Sequence, residues 1–278
     1  MVMGVLGCGK IGEDCTFSGG EPASTSLWQR ALLAAHSPPM NKLYVGFEKD
    51  IALPPGGFLL LDEVREVARS RVFDPARHSF NPLKDMGHLK ARELADIFYT
   101  VYPQGENTLT VRNGKRSLVK ALMGAGRLDK VQGDDEVRGM VEDILFSPVI
   151  RQVLCQPTNF SFNPNSKIVA RINRAELGDF DALLLGMLLM CEFKGQVIVP
   201  ELGFYGREQH TALIRQNRLI AGVNFLDELP AKLKSSALLI KEKVASRTTF
   251  ADAEVLGKYA RLSPGTVGFS EFVEKAVA

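Results

Sequence analysis

The stretch "SKIVARINRAELGDFDALLLGMLLMCEFKGQVIVPE", residues 166–201, decides the fold. "SKIVARIN" (166–173) reads as a strand, "RAELGDFDALLLGMLLMCEF" as a loop running into a buried helix, and "GQVIVPE" (195–201) as an apolar strand. A strand, a helix and a second apolar strand have the form of a crossover between buried parallel strands. The alternation continues downstream. "REQHTALIRQN" (207–217) reads as a helix and "RLIAGVN" (218–224) as another buried strand. "SALLIKEKVA" (236–245) reads as a last strand, and "TTFADAEVLGKYA" as a helix capped by Thr248 or Thr249. The expected fold class is α/β: a mostly parallel sheet with helices on both faces and its chemistry at the carboxyl ends of the strands.

Upstream, "KLYVGFE" (42–48) is a short strand and "LPPGG" (53–57) a turn. "FLLLDEVREVARS" (58–70) has helical spacing, with Leu60, Val64 and Val67 on one side. "RVFDP" (71–75) is a short strand stopped by Pro75. Residues 85–156 read as a mainly helical insertion, in which Asp134 or Asp135 caps "DDEVRGMVEDIL". Within it, "VRNGKR" (111–116) places three basic residues near a turn, as a solvated loop or as a contact to phosphates.

The chain has 278 residues, with 34 basic side chains against 32 acidic, so no global charge draws it to nucleic acid or membrane. A local basic patch stays open. No apolar run approaches the roughly 20 residues of a membrane span. Cys8, Cys15, Cys155 and Cys191 are far apart and form no metal-ligand spacing, which favours a reducing, cytoplasmic location without structural zinc. Residues 1–39 are rich in Gly, Ser and Pro, and "MNKLYVGFEKD" after them reads as a natural start. They are expected to be a loosely ordered or non-native extension of one domain spanning 40–278, with a short helix at 25–35 as the competing view. Gly4 to Lys10, "GVLGCGK", matches a phosphate-binding loop but fails at Ile11, where a hydroxyl belongs. Three residues before it and a Gly- and Pro-rich stretch after it leave no room for the flanking strand and helix.

From Met40 onward the order of elements resembles the P-loop ATPase domains of the FtsK/HerA and conjugative TraG-type coupling family, motors that move DNA or protein. "RVFDPARHSFNPL" (71–83) is similar to that family's strand ending in Asp-Pro and its "FNP" segment. "KIVARINRAELGDFDALLLGMLL" is similar to the strand, loop and helix before the Walker B strand, and "VIVPELGFYG" (197–206) to the Walker B strand itself. "LIRQNRLIAGVNFLDEL" (213–229) resembles the helix and sensor strand, and "ALLIKEKVASRTTFADAEVLGKYA" the closing strand and helix.

The resemblance implies ATP and magnesium as cofactors and gives a place to each site residue. Gly56 and Gly57 stand where the phosphate loop belongs, with no Gly-Lys-Ser/Thr after them, and Asp74 stands at a nucleotide-binding position. Glu201 matches the water-activating glutamate, while Pro200 replaces the magnesium carboxylate. Asn224 is sensor-like, and Arg215 and Arg218 flank a strand start, as arginines reaching into a neighbouring subunit would. No metal site is expected at Asp74 and His78, because Pro75 breaks a helix through both, and His210 reads as solvent-facing. With lysine, hydroxyl and magnesium carboxylate all missing, hydrolysis is expected to be lost. The expected role is a structural or regulatory component of a DNA- or protein-translocating machine, in an oligomer beside an active ATPase subunit or DNA. The alternatives are an active NTPase using "LPPGGF" or "GVLGCGKI", and a nucleic-acid-binding or assembly scaffold of a phage or mobile element.

A chain starting at Met40 is expected to keep its melting temperature within about a few degrees, because loosely packed termini contribute little burial. A large loss in a thermal melt would show that residues 1–39 pack against the domain.

Overall fold

This computed structural model describes residues 40–47, 50–102 and 108–259. The Gly4–Lys10 loop and the rest of 1–39 lie outside them. Seven strands form one sheet: β1 (Lys42–Val45), β2 (Phe58–Leu61), β3 (Arg71–Phe73), β4 (Lys167–Ala170), β5 (Gln196–Val199), β6 (Leu219–Val223) and β7 (Glu242–Ala245). Their order is β3-β4-β2-β5-β6-β1-β7, and every pair is parallel. Between β3 and β4 lie α1 (His88–Val101), α2 (Thr108–Gly124), α3 (Asp135–Phe146) and α4 (Pro148–Cys155). The later helices are α5 (Arg174–Glu192), α6 (Leu202–Tyr205), α7 (Thr211–Arg215), α8 (Ala231–Leu238) and α9 (Phe250–Tyr259). A parallel sheet with helices packed against it is the P-loop NTPase-like α/β arrangement.

The side-chain period of two sorts the strands onto two faces. Leu43, Leu59, Val197, Leu219 and Ala221 join the larger cluster, which holds the buried helical side chains of α1–α8 and Leu256 of α9. Tyr44, Phe58, Leu60, Ile198 and Ile220 face the other way, where Ile51, Leu53 and Val67 pack on them from chain without regular structure. Connections that move toward β3 therefore run over the second face, and those that move back toward β7 run over the first. Opposite directions over opposite faces give one hand throughout, as the right-handed crossover rule demands.

Four sequence expectations are corrected. Residues 58–61 are not helical but form β2, fully buried between β4 and β5. Burial on both faces overrides the helix propensity of the leucines, and Val64 is left 83% exposed in the turn that follows. "VRNGKR" lies within α2 rather than in a loop, because Gly114 lets the helix approach α1 and α3 closely. A Cβ there would meet the Tyr99 hydroxyl at 2.0 Å and Glu136 Oε1 at 2.2 Å. Residues 207–217 form only a short 3-10 turn and α7, and 236–245 divide between the end of α8 and β7.

Leu60→Ala is expected to cost about 2–5 kcal/mol in urea unfolding, the usual penalty for a fully buried leucine, while Val64→Ala stays within about 0.5 kcal/mol. A helix through 58–70 would instead make the two losses similar.

Candidate functional site

Ligands of open parallel sheets sit at carboxyl strand ends, where connections from neighbouring strands depart in opposite directions. Two such places occur here. From β1 the chain departs toward β3 and from β6 toward β7, the two crossing over opposite faces, while β2 and β5 send their connections away from each other.

The first place is closed. Gly46, directly after β1, has φ +123°, and a Cβ on it would lie 1.5 Å from the Ser246 carbonyl oxygen. Its N–H donates to the Val223 carbonyl at 2.9 Å, so the end of β1 is wedged between the ends of β6 and β7. Phe47 then packs edge-on against Phe225, with ring centroids 4.9 Å apart. Among the described residues no helix follows β1, and the next element is β2. A triphosphate needs a nest of N–H groups opening a helix, and these residues do not fit one.

The second place is an indentation of about 180 Å³ between the ends of β2 and β5, lined by Asp62, Glu63, Ile172, Pro200, Glu201 and Tyr205 among others. Arg174 organises it from the N-terminus of α5, where the Asn173 side chain caps the helix through the Ala175 N–H. The Arg174 backbone N–H donates to Glu63 Oε1 at 2.9 Å. Its guanidinium pairs with Glu201 at 3.3 Å and Asp179 at 3.0 Å, and stacks 3.8 Å above the Phe204 ring. Asp62 accepts from the N–H groups of Val64 and Arg65, which fixes the turn after β2. Burial, with Glu201 and Glu63 nearby, pushes the Tyr205 phenol above its ordinary range. Two carboxylates, Glu201 and Asp179, thus hold the guanidinium, and the acids of Glu63 and Asp62 line the same strand ends, a setting that repels phosphates. Among the described residues no group of His, Cys, Asp or Glu is arranged to hold a metal.

The structure keeps Asp74, Glu201 and Asn224 on one edge of the sheet, at different strands, and puts Gly56, Gly57, Arg215 and Arg218 on the other. Glu201 and Asn224 follow adjacent strands, and the Asn224 N–H donates to Glu228. Asp74 also lies on the carboxyl edge but after β3, three strand positions from β5, or roughly 14 Å. There it accepts from the Ala76 N–H, and its own N–H donates to His78 Nδ1. Gly56 and Gly57 lie at the opposite, amino edge, because they precede β2 rather than follow β1. A Cβ on Gly57 would meet the Pro164 carbonyl oxygen at 2.2 Å, so that glycine serves chain packing. Arg215 and Arg218 share the amino edge. Arg218 donates to the carbonyls of Gly195 and Phe193 and to Gln216, tying down the loop before β5. His210 is buried rather than solvent-facing, with Nδ1 accepting the Arg207 N–H at 2.9 Å.

Sequence reading missed Asp62, Glu63 and Arg174. The signal was present in "FLLLDE" (58–63), four apolar residues followed by two acids, which suits a strand end.

No protein-family model matches this chain, and no curated protein matches its sequence. Solved structures do match. One is VirB4 of Thermoanaerobacter pseudethanolicus, at 12% identity and TM-score 0.52, covering 81% of this chain and 82% of that one. Another is the bacterial conjugative coupling protein TrwB, at 12% identity and TM-score 0.50, covering 79% and 71%. At such identities the likeness establishes the fold, and at that level the resemblance read from the sequence holds.

Burial, with the Arg207 charge adding to it, lowers the His210 pKa from 6.5 to about 4. Above pH 6.5 the imidazole is neutral whether the chain is folded or not, and its contribution is complete. Between pH 6.5 and about 4 only the unfolded chain takes up the proton, so stability falls as pH drops, by up to about 1.4 kcal/mol per unit. His210→Asn should lose that part of the slope in urea unfolding at pH 7, 5.5 and 4.5.

Proposed function

We propose that this protein keeps the fold of translocation ATPases as a non-hydrolysing structural or regulatory component of a DNA- or protein-translocating machine, in an oligomer beside an active ATPase subunit in the cytoplasm. One observation carries the reading: the chain leaving β1 is wedged at Gly46, and among the described residues no helix stands between β1 and β2. Phosphoryl transfer depends on positioned N–H groups, a lysine and a magnesium ion, and loss of a single stabilising donor costs about two to three orders of magnitude by analogy. At the strand ends Glu201 is exposed and paired with Arg174, so this relic of a water-activating glutamate holds an arginine instead. Asn224 supports a turn after the adjacent strand, and Asp74 one three strand positions away. The likeness to VirB4 and to a conjugative coupling protein supports the association with a transport machine. No helix among the described residues is long and apolar enough to cross a membrane, which accords with a component that does not span one.

ATP with magnesium is expected to give no binding heat in calorimetry at millimolar nucleotide, and phosphate release is expected to equal that of Glu201→Gln with or without DNA. Magnesium-dependent hydrolysis abolished by Glu201→Gln would overturn the reading. If Lys10→Ala abolished it as well, "GVLGCGKI" would be the phosphate site.

A further inference from the structure

A concavity away from the sheet lies between α1 and α2, as a groove of about 870 Å³. Its lining carries Arg92 from α1 and Arg112, Lys115, Arg116 and Lys120 from α2, against the single carboxylate of Asp96. Lys115 is held by Asp96 at 2.8 Å. Arg92, Arg112, Arg116 and Lys120 are exposed, and among the described residues none of them makes an ion pair or hydrogen bond. Four unpaired cations along one groove repel each other, a local cost with no structural return unless an anion lies among them.

We propose that this groove binds the phosphate backbone of a nucleic-acid strand. Spacing supports a repeating anion. Arg112, Arg116 and Lys120 follow at intervals of four residues and so stand about 6 Å apart along one face of α2. Phosphates of one strand advance about 3.4 Å each along a duplex, so the row meets alternate phosphates. Arg92 supplies a cation from the opposite wall. Val111, Val119 and Met123 contribute its apolar lining, and His88 is its one ring, with no Phe, Tyr or Trp beside it. One imidazole is a small stacking platform beside five cations, so recognition is chiefly of the backbone, without sequence preference. The near-neutral total charge hides this surface, because the excess of cations here is balanced elsewhere on the chain.

The proposal stands on these charges and not on the loss of hydrolysis, so the two fail separately. Fluorescence anisotropy of the full chain with a labelled mixed-sequence DNA of about 20 nucleotides, single-stranded and as a duplex, tests it. Binding is expected to weaken about a hundredfold between 50 and 200 mM salt, as about four phosphate contacts require. Arg112→Glu with Arg116→Glu should weaken binding at least about tenfold, and Lys120→Ala should lower the salt slope by about one. A matched charge reversal on other helices, Lys232→Glu with Lys258→Glu, should leave affinity within about twofold. If the Arg112/Arg116 variant fails to melt like the parent protein, the Lys120→Ala slope decides. Absence of binding to either DNA, a salt-independent affinity, or an equal loss in the Lys232/Lys258 variant would overturn the proposal. So would binding of polyglutamate in preference to DNA.

Discussion

The connection from β1 to β2 constrains everything around it. Residues 46–57 must carry the chain from the carboxyl edge of β1 to the amino edge of β2, across the positions of β6 and β5. Three strand spacings are roughly 14 Å, and the strands are roughly 13 Å tall, so the path is about 20 Å at least. Twelve residues cover that only with much of the chain extended, since a ten-residue helix advances about 15 Å and leaves two residues for both turns. The segment between Val45 and Phe58 is thus too short to hold a phosphate loop and the helix it opens. The same economy places Ile51 and Leu53 flat against Tyr44, Phe58 and Leu60, where they cover the second face in place of a helix.

Once β2 lies between β4 and β5, the strand-end chemistry follows. Its acids, Asp62 and Glu63, arrive beside Glu201, and carboxylates that close need a cation. Arg174 supplies it, held by the Asn173 cap below and by the Phe204 ring. The side chain is partly exposed, so the ion pairs themselves add little stability. Their effect is positional, because a planar guanidinium stacked on a ring and bonded on several sides cannot swing out to meet a ligand.

Much of the sheet is legible in the sequence because its strands are apolar on both faces and separated by turn residues. β4, β5 and β6 each fall within a stretch whose pattern already indicates a buried parallel strand. β2 is not legible by periodicity. "FLLL" is rich in leucine, and Val64 and Val67 extend an apolar spacing that fits a helix equally well. Only the tertiary pairing with β4 and β5 decides between them. That one substitution of strand for helix displaces the site as well. Gly56 and Gly57 change edges, and Asp62 and Glu63 become strand-end residues. His210 was illegible for a different reason: in a short segment, one polar residue between Gln209 and Thr211 gives no sign of facing inward.

The helical insertion is tied to α5 by α1, which runs antiparallel to it, and by α4, before which the Ser147 hydroxyl donates to Asp181. Near its start α1 meets the end of α5 through Lys90 and Glu192 at 2.9 Å, and just past its end Tyr102 packs on Phe180 with centroids 4.2 Å apart. The groove therefore rides on the same helix whose N-terminus carries Arg174. The charge, however, is divided sharply between the two ends of this unit. Cations outnumber carboxylates five to one along the groove, while carboxylates prevail at the strand ends. A polyanion drawn to α2 is turned away from Glu63 and Glu201 by the same Coulomb force, screened within about 10 Å at ordinary salt. In this molecule carboxylates gather at the edge where a parallel sheet places its ligand, and the cations gather on the insertion.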